Sequence, residues 1–190
     1  FLPARLGGRG LSPVRVLPRD AFFPMGKRDW HPTAENAARL IAEAEQLLTE
    51  EVPPLSATDY ASFRRTGDRT VFDEKYQKRR KMCLALAIAE SLEGKGRFTE
   101  KLADVVWAML EETTWVIPAH LSNPAINLGD PARPVLPYAW KGTADYVDLY
   151  AGVSGAVLAV ALYFAGDALD RFSPEIRKRT EYELDRRVLT

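Results

Sequence analysis

An all-α fold follows from three features of the chain. Apolar residues recur at helical spacing in five stretches, no β-rich alternating run of useful length is present, and glycines, prolines and cap residues punctuate the ends of those stretches. The pattern reads as successive antiparallel helical hairpins, each with an apolar inner and a more polar outer helix. Such alternation suits a helical solenoid or a closed ring of hairpins. With no fixed repeat of roughly 34 to 47 residues to support a solenoid, the expectation is part of an incomplete (α/α) toroid.

Taken in order, residues 1–32 form an irregular arm, because Pro3, Pro13, Pro18, Pro24 and Pro32 with Gly7, Gly8, Gly10 and Gly26 interrupt any period. The helical domain is expected over 33–190. A helix over 34–50 places Ala37, Leu40, Ile41, Ala44, Leu47 and Leu48 on one side, with Thr33 as N-cap and Pro53-Pro54 preventing continuation. A second, over 73–92, follows a basic first half with Met82, Leu86, Ile88 and Leu92 and ends at Gly94. A third, over 99–113, carries Leu102, Val105, Val106, Met109 and Leu110 and takes Thr99 as its cap, making a hairpin with the second. Residues 115–144 then form a proline-stiffened connection, far longer than the usual 2 to about 8 residues between packed helices. Its Trp115, Ile117, Ile126, Leu128, Val135, Tyr138 and Trp140 supply enough apolar surface to pack rather than stay disordered. A fourth helix is expected over 145–166, with Thr143 as cap and Gly166 as stop. A fifth opens at Ser173-Pro174-Glu175, with proline at the first helical position and an acid near the positive end of the dipole, and reads on to Arg187.

Composition narrows the function. The 190 residues hold 26 Lys plus Arg and 26 Asp plus Glu, so the whole-molecule field attracts neither nucleic acid nor an anionic membrane. One cysteine and two histidines cannot build a structural zinc site or a disulfide, and no cofactor is called for. A chain of this size buries roughly 70% of its unfolded surface, enough for a core without staples. No charged segment leads into an apolar run near Phe1, so no signal peptide is expected. The uncharged run 149–166 touches the lower length of a membrane span. Its Gly152, Ser154, Gly155 and alanines, and the acids flanking it, favour a helix buried on most sides.

The densest chemistry is Glu111-Glu112-Thr113-Thr114-Trp115-Val116-Ile117-Pro118-Ala119-His120. Two carboxylates ending a helix oppose its dipole at a cost of a few tenths to about 1 kcal/mol, which asks for a partner. Two readings stand. In one, a Glu pairs with an arginine of the arm or of Arg64-Arg65 and the other is solvated. In the other, Trp115 is a flat platform for a sugar and His120 is the group suited to proton transfer at neutral pH. His31, beside Trp30, reads as a surface or helix-start contact. Tyr150 and Tyr163 read as packing within the apolar helix, whereas Tyr138 and Tyr146 have no such restriction. Arg64, Arg65, Arg69, Lys75, Lys78, Arg79, Arg80 and Lys81 stand against Asp68, Asp73 and Glu74, as a solvated face or a docking stripe for an anionic chain. Cys83, between Met82 and Leu84, reads as an inert packed thiol. No GxSxG, HExxH, P-loop or dinucleotide-binding glycine pattern is present.

Two segments resemble the N-terminal α-helical domain of the heparinase II/III-like family of bacterial polysaccharide lyases. One is Glu111-Glu112-Thr113-Thr114-Trp115 continuing to Pro118-Ala119-His120. The other is Val147-Asp148-Leu149-Tyr150-Ala151-Gly152, continuing through Leu162-Tyr163, Gly166-Asp167, Pro174-Glu175-Ile176 and Tyr182-Glu183-Leu184-Asp185-Arg186-Arg187. The resemblance covers residues 80–190 and implies an incomplete (α/α) toroid joined to downstream β-rich domains of the same protein. It implies β-elimination of an acidic, uronate-containing polysaccharide and a periplasmic or secreted location. It also makes this chain a fragment whose family counterparts carry most catalytic residues further along. By position it carries over only Glu111 to His120, as a wall of the substrate cleft; with the reading of the residues themselves, the expected catalytic residues are His120 and Glu112, and the expected substrate contacts are Trp115, Glu111, Trp140 and Tyr146. The competing reading is a non-catalytic carbohydrate-binding or scaffold module using Trp115 and Trp140. A glycoside hydrolase ranks third, since it needs two carboxyl groups about 5 to 10 Å apart across a cleft.

Overall fold

The computed structural model describes residues 32–120 and 147–189, and every regular element among them is helical. Most of the expected arm, and most of the long connection with Tyr138, Trp140 and Tyr146, lie outside the described residues. The chain divides into two compact units, residues 1–37 and 38–190. Only residues 32–37 of the first are described, and they open α1.

Helix α1 (Ala34–Leu47) starts as expected: the Asn36 amide donates to the Thr33 hydroxyl at 3.3 Å. Ala44 is fully buried, and Ile41, Leu47 and Leu48 pack on the same core. Helix α2 (Ala57–Thr66) was not expected from periodicity, since it is short and mostly polar. A capping box makes it: the Asp59 amide donates to the Ser56 hydroxyl, the Ser56 amide donates back to the Asp59 carboxylate, and Gly67 ends it at φ 78°.

Helix α3 (Thr70–Glu93) begins one turn earlier than its apolar residues indicate, because the Asp68 carboxylate accepts from the Thr70 amide and hydroxyl at 2.8 and 2.6 Å. Gly94 closes it in the left-handed region at φ 67°. Helix α4 (Thr99–Leu110) packs on α3 but differs in its cap. Thr99 is the first helical residue, and Glu90 of α3 accepts from the Gly96 and Phe98 amides at 2.8 and 3.1 Å, supplying the capping oxygens from across the hairpin. Its end at Leu110 frees residues 111–120 to turn.

Helix α5 (Leu149–Phe172) starts at the N-cap Asp148, whose Oδ1 accepts from the Ala151 amide at 2.7 Å, later than the expected residue 145. It also runs past Gly166. That glycine is set by close packing, since a Cβ there would meet the Arg177 guanidinium 2.5 Å away, and Arg177 is paired with Asp170. Gly155 likewise lets Val188 and Leu184 approach, at 3.1 and 3.3 Å from where a Cβ would stand. Helix α5 packs on α3, α4 and the final helix. It is long and apolar enough to cross a membrane, with 44% of its most apolar window buried inside the protein. Its burial is one-sided, because Leu149, Val153 and Val160 remain exposed.

Helix α6 (Pro174–Leu184) begins with proline as expected and buries Ile176, Thr180 and Glu183 at helical spacing. It passes into a π-helical turn, Asp185–Leu189, which brings Arg187 inside. The inner α5 and polar outer α6 reproduce the expected contrast. The core joins Met82, Leu86, Phe98, Leu102, Val106, Met109, Leu110, Leu158 and Leu169, each large side chain contributing about 1.5–3 kcal/mol on burial. Cys83 is fully enclosed, and burial pushes its thiol up to about 12, in keeping with an inert packed residue.

Glu183 makes the fold sensitive to acid. Burial raises its carboxyl, but the bonds from Arg187 at 2.6 Å and Arg186 at 2.8 Å outweigh this and hold it below its ordinary value of 4.5. A depressed carboxylate contributes stability that is complete above the unfolded value and lost as pH falls through the lower folded value. The urea midpoint should therefore hold from neutral pH to just above 4.5 and fall below it. Glu183→Gln should lower the midpoint at neutral pH and flatten the acid limb; an unchanged limb would remove Glu183 as the source.

Candidate functional site

The site is built on the turn that follows α4. The Tyr76 hydroxyl lies 2.7 Å from the Trp115 carbonyl oxygen, Tyr60 donates to that of Val116 at 3.2 Å, and Arg187 donates to that of Glu112 at 2.7 Å. Three distant elements thus fix residues 112–116. Beneath them Arg80 binds Glu112 through two parallel bonds of 2.6 and 2.5 Å, and Arg79 adds a third at 3.1 Å. Burial lowers the Arg80 guanidinium, yet Glu112 more than offsets this and holds it raised. Arg80 also donates to Ser154 of α5 and stacks 3.3 Å from the Tyr76 ring centre. Burial pushes the Tyr76 hydroxyl up to about 12, with Arg80 partly opposing, so it serves as a neutral strut.

At the outer end of the turn, His120 and Asp148 meet. Nδ1 of His120 lies 2.7 Å from Oδ2 of Asp148, while Oδ1 of the same carboxylate caps α5. Against a carboxylate oxygen Nδ1 is the donor, the contact by which a carboxylate orients an imidazole. The imidazole is 32% exposed and packs edge-on against the Tyr150 ring at 4.9 Å. Arg69 donates to Asp73 at 2.7 Å and is held above its ordinary value chiefly by that bond, with the neighbouring Tyr150 hydroxyl adding to the effect. A base, a phenol and a cation therefore share one exposed edge.

These placements correct several expectations. Trp115 is 1% exposed, its Nε1 donates to Met109, and Arg187 lies 4.9 Å from its ring centre, so it has no open face for a sugar. Glu112 pairs with Arg79 and Arg80 of α3, and this buried bonding removes it from acid–base work. Glu111 is solvated, 3.6 Å from Arg179. The two glutamates thus enter different environments and are not a facing pair. Trp140 and Tyr146 lie outside the described residues. The basic run is not one stripe, because Arg79 and Arg80 are internal while Lys75 and Lys78 are paired with Asp59 and Glu50. Of the expected site residues among those described, His120 and Glu111 are the ones whose side chains reach solvent. Sequence reasoning did not single out Asp148 or Arg69; Tyr150 packs as expected, against the cluster of Tyr60, Phe72, Tyr76 and Ile117, and also faces His120. An aspartate at the start of an apolar helix was the available signal. Among the described residues no three His, Cys, Asp or Glu side chains converge to hold a metal ion. No family model and no curated protein matches the chain.

Proposed function

We propose that this chain is the N-terminal portion of a polysaccharide lyase that cleaves a uronate-containing glycan by β-elimination. In this reading it forms part of an incomplete (α/α) toroid, lines part of the substrate cleft, works in the periplasm or outside the cell, and is completed by downstream β-rich domains. The observation that carries it is the His120–Asp148 pair beside Tyr150. His120 belongs to one segment of family resemblance and Asp148 and Tyr150 to the other, and the two meet where a proton can be moved.

The chemistry gives each group a task. A base removes the proton at C5 of the uronate, that electron pair becomes the C4–C5 double bond, and the C4–oxygen bond breaks as the departing oxygen takes a proton. His120 is the acceptor for the first transfer. Arg69 offers a positive charge to the uronate carboxylate, which must be neutralised before the carbanion-like state is accessible. Tyr150 adjoins both. The remaining groups come from the downstream sequence.

The test is the ultraviolet absorbance of an unsaturated uronate, measured with this chain and with its full reading frame on heparin, heparan, chondroitin, hyaluronan and alginate. Product with the longer protein is the expected result. Absence of product from every glycan, with retained binding of one, would overturn the lyase in favour of a non-catalytic carbohydrate-binding module. That alternative draws on Trp107, which is 46% exposed beside Arg179.

A further inference from the structure

The side of α4 that looks away from the core carries Glu100, Asp104, Trp107 and, at its C-terminal cap, Glu111. Steps of three and four residues hold these side chains along one face, over about 16 Å, roughly the length of five extended residues. All four are exposed, and Trp107 leaves 46% of its surface open although tryptophans are highly buried on average. Helix stability does not account for the pattern. Glu100 suits the positive end of the helix dipole, but Asp104 lies in mid-helix and Glu111 follows the last turn, where a carboxylate is unfavourable. Glu100 and Asp104 form no ion pair among the described residues, and Glu111 has only the 3.6 Å approach of Arg179.

We propose that this face of α4 docks a Lys/Arg-rich segment of a partner protein, with one cationic side chain stacked on Trp107 between the acids on either side. Charge complementarity is the first argument. Three carboxylates line the stripe against one guanidinium at its edge, that of Arg179, in a chain whose net charge is zero, so the negative charge is local to this face. Arg179 is the second argument, because it shows the kind of group the face receives. Its guanidinium stands 6.0 Å from the Trp107 ring centre, at the outer limit of a cation–π contact, while its Nε is bonded to Glu183 at 2.9 Å and so is held back from closer stacking. A cation arriving from outside can close on the ring and on a carboxylate together. Third, a cavity of about 350 Å³ opens beside the stripe, with Ala108, Glu111, Tyr60 and Phe72 among its walls. Glu112 there is bonded to Arg79 and Arg80, which leaves Glu111 as the carboxylate that a ligand meets. A lysine or arginine of the partner can lay its apolar stem along the two rings with its charged head at Glu111. The inference stands on exposure and charge and draws nothing from the lyase reading.

The test is fluorescence anisotropy of this chain with fluorescein-labelled hexa-arginine and with a neutral glycine–serine peptide of the same length. Hexa-arginine should bind about tenfold or more tightly than the neutral peptide, and added salt should weaken it. Trp107→Ala and Asp104→Lys should each reduce that affinity about fivefold or more. Because Trp107 is half-buried, Asp104→Lys, at a solvated position with the urea midpoint little changed, is the deciding variant. Glu74→Lys makes the same change of charge at an exposed position on α3 and should leave binding as it was. Equal binding of the two peptides, or equal losses from Asp104→Lys and Glu74→Lys, overturns the proposal. So does a glycan held through Trp107, or self-association that Trp107→Ala abolishes, without selective binding of hexa-arginine; the face then belongs to a sugar or to a second copy of the chain.

Discussion

Glu112→Ala is expected to destabilise the protein by about 3–5 kcal/mol, the loss typical when one member of a buried ion pair is removed. The cost arises from what remains. Arg80, 2% exposed, would keep its charge with only the Ser154 hydroxyl and the Tyr76 carbonyl and ring around it, and Arg79 would lose its acidic partner. Most folded domains have about 5–15 kcal/mol in total, so the variant sits near the limit of folding. Urea denaturation with circular dichroism is the measurement. Glu111→Ala supplies the contrast, since that carboxylate is solvated and its 3.6 Å pair with Arg179 is worth roughly 0–1 kcal/mol. Comparable losses from the two adjacent glutamates would show that the Glu112 pairing is not what holds the turn.

His120→Ala in the longer protein should lower kcat by about 10²–10⁴-fold, the range for loss of a positioned general base. Asp148→Asn is the sharper test of the pair. Asparagine caps a helix nearly as well as aspartate, so the start of α5 and the unfolding midpoint should survive, while the ring loses the carboxylate that fixes its tautomer. A fall in kcat with little change in KM or stability is the expected result for Asp148→Asn. If both variants retain full activity, the pair has no part in the reaction; if both unfold, His120 and Asp148 serve the fold alone.

The helices that were legible in the sequence are those whose signals are local. Thr33 before α1, Gly94 after α3 and Ser173-Pro174 before α6 act within a few residues of themselves, and apolar spacing in α4 needs only the helix's own period. Helix α2 was also written locally, as Ser56 and Asp59 three residues apart, but its polar composition hid it from a search for apolar faces. The site was less legible because its partners are far apart in the chain. Periodicity could not reveal that Glu112 meets residues 32 and 33 positions earlier, nor that a tryptophan following a helix turns inward rather than outward. Gly166 shows the same limit: a glycine near a helix end suggests a stop, and only the packed arrangement reveals that it makes room for Arg177. His120 stood out because the chain has only two histidines, whereas Asp148 and Arg69 needed the fold to single them out.

The polar cluster around Ser154 has a consequence for how the molecule opens. Its hydroxyl is shared by Tyr76 and Arg80 of α3, while Arg80 holds Glu112 beyond α4. These bonds join stretches up to 78 residues apart. Peeling α5 away would strip Arg80 of one partner and uncover the apolar core at the same time, so α3, α4 and α5 open as one cooperative unit. Helix α2 stands outside that unit, tied in through Tyr60 at Val116 and Phe72 and through Asp59 at Lys75.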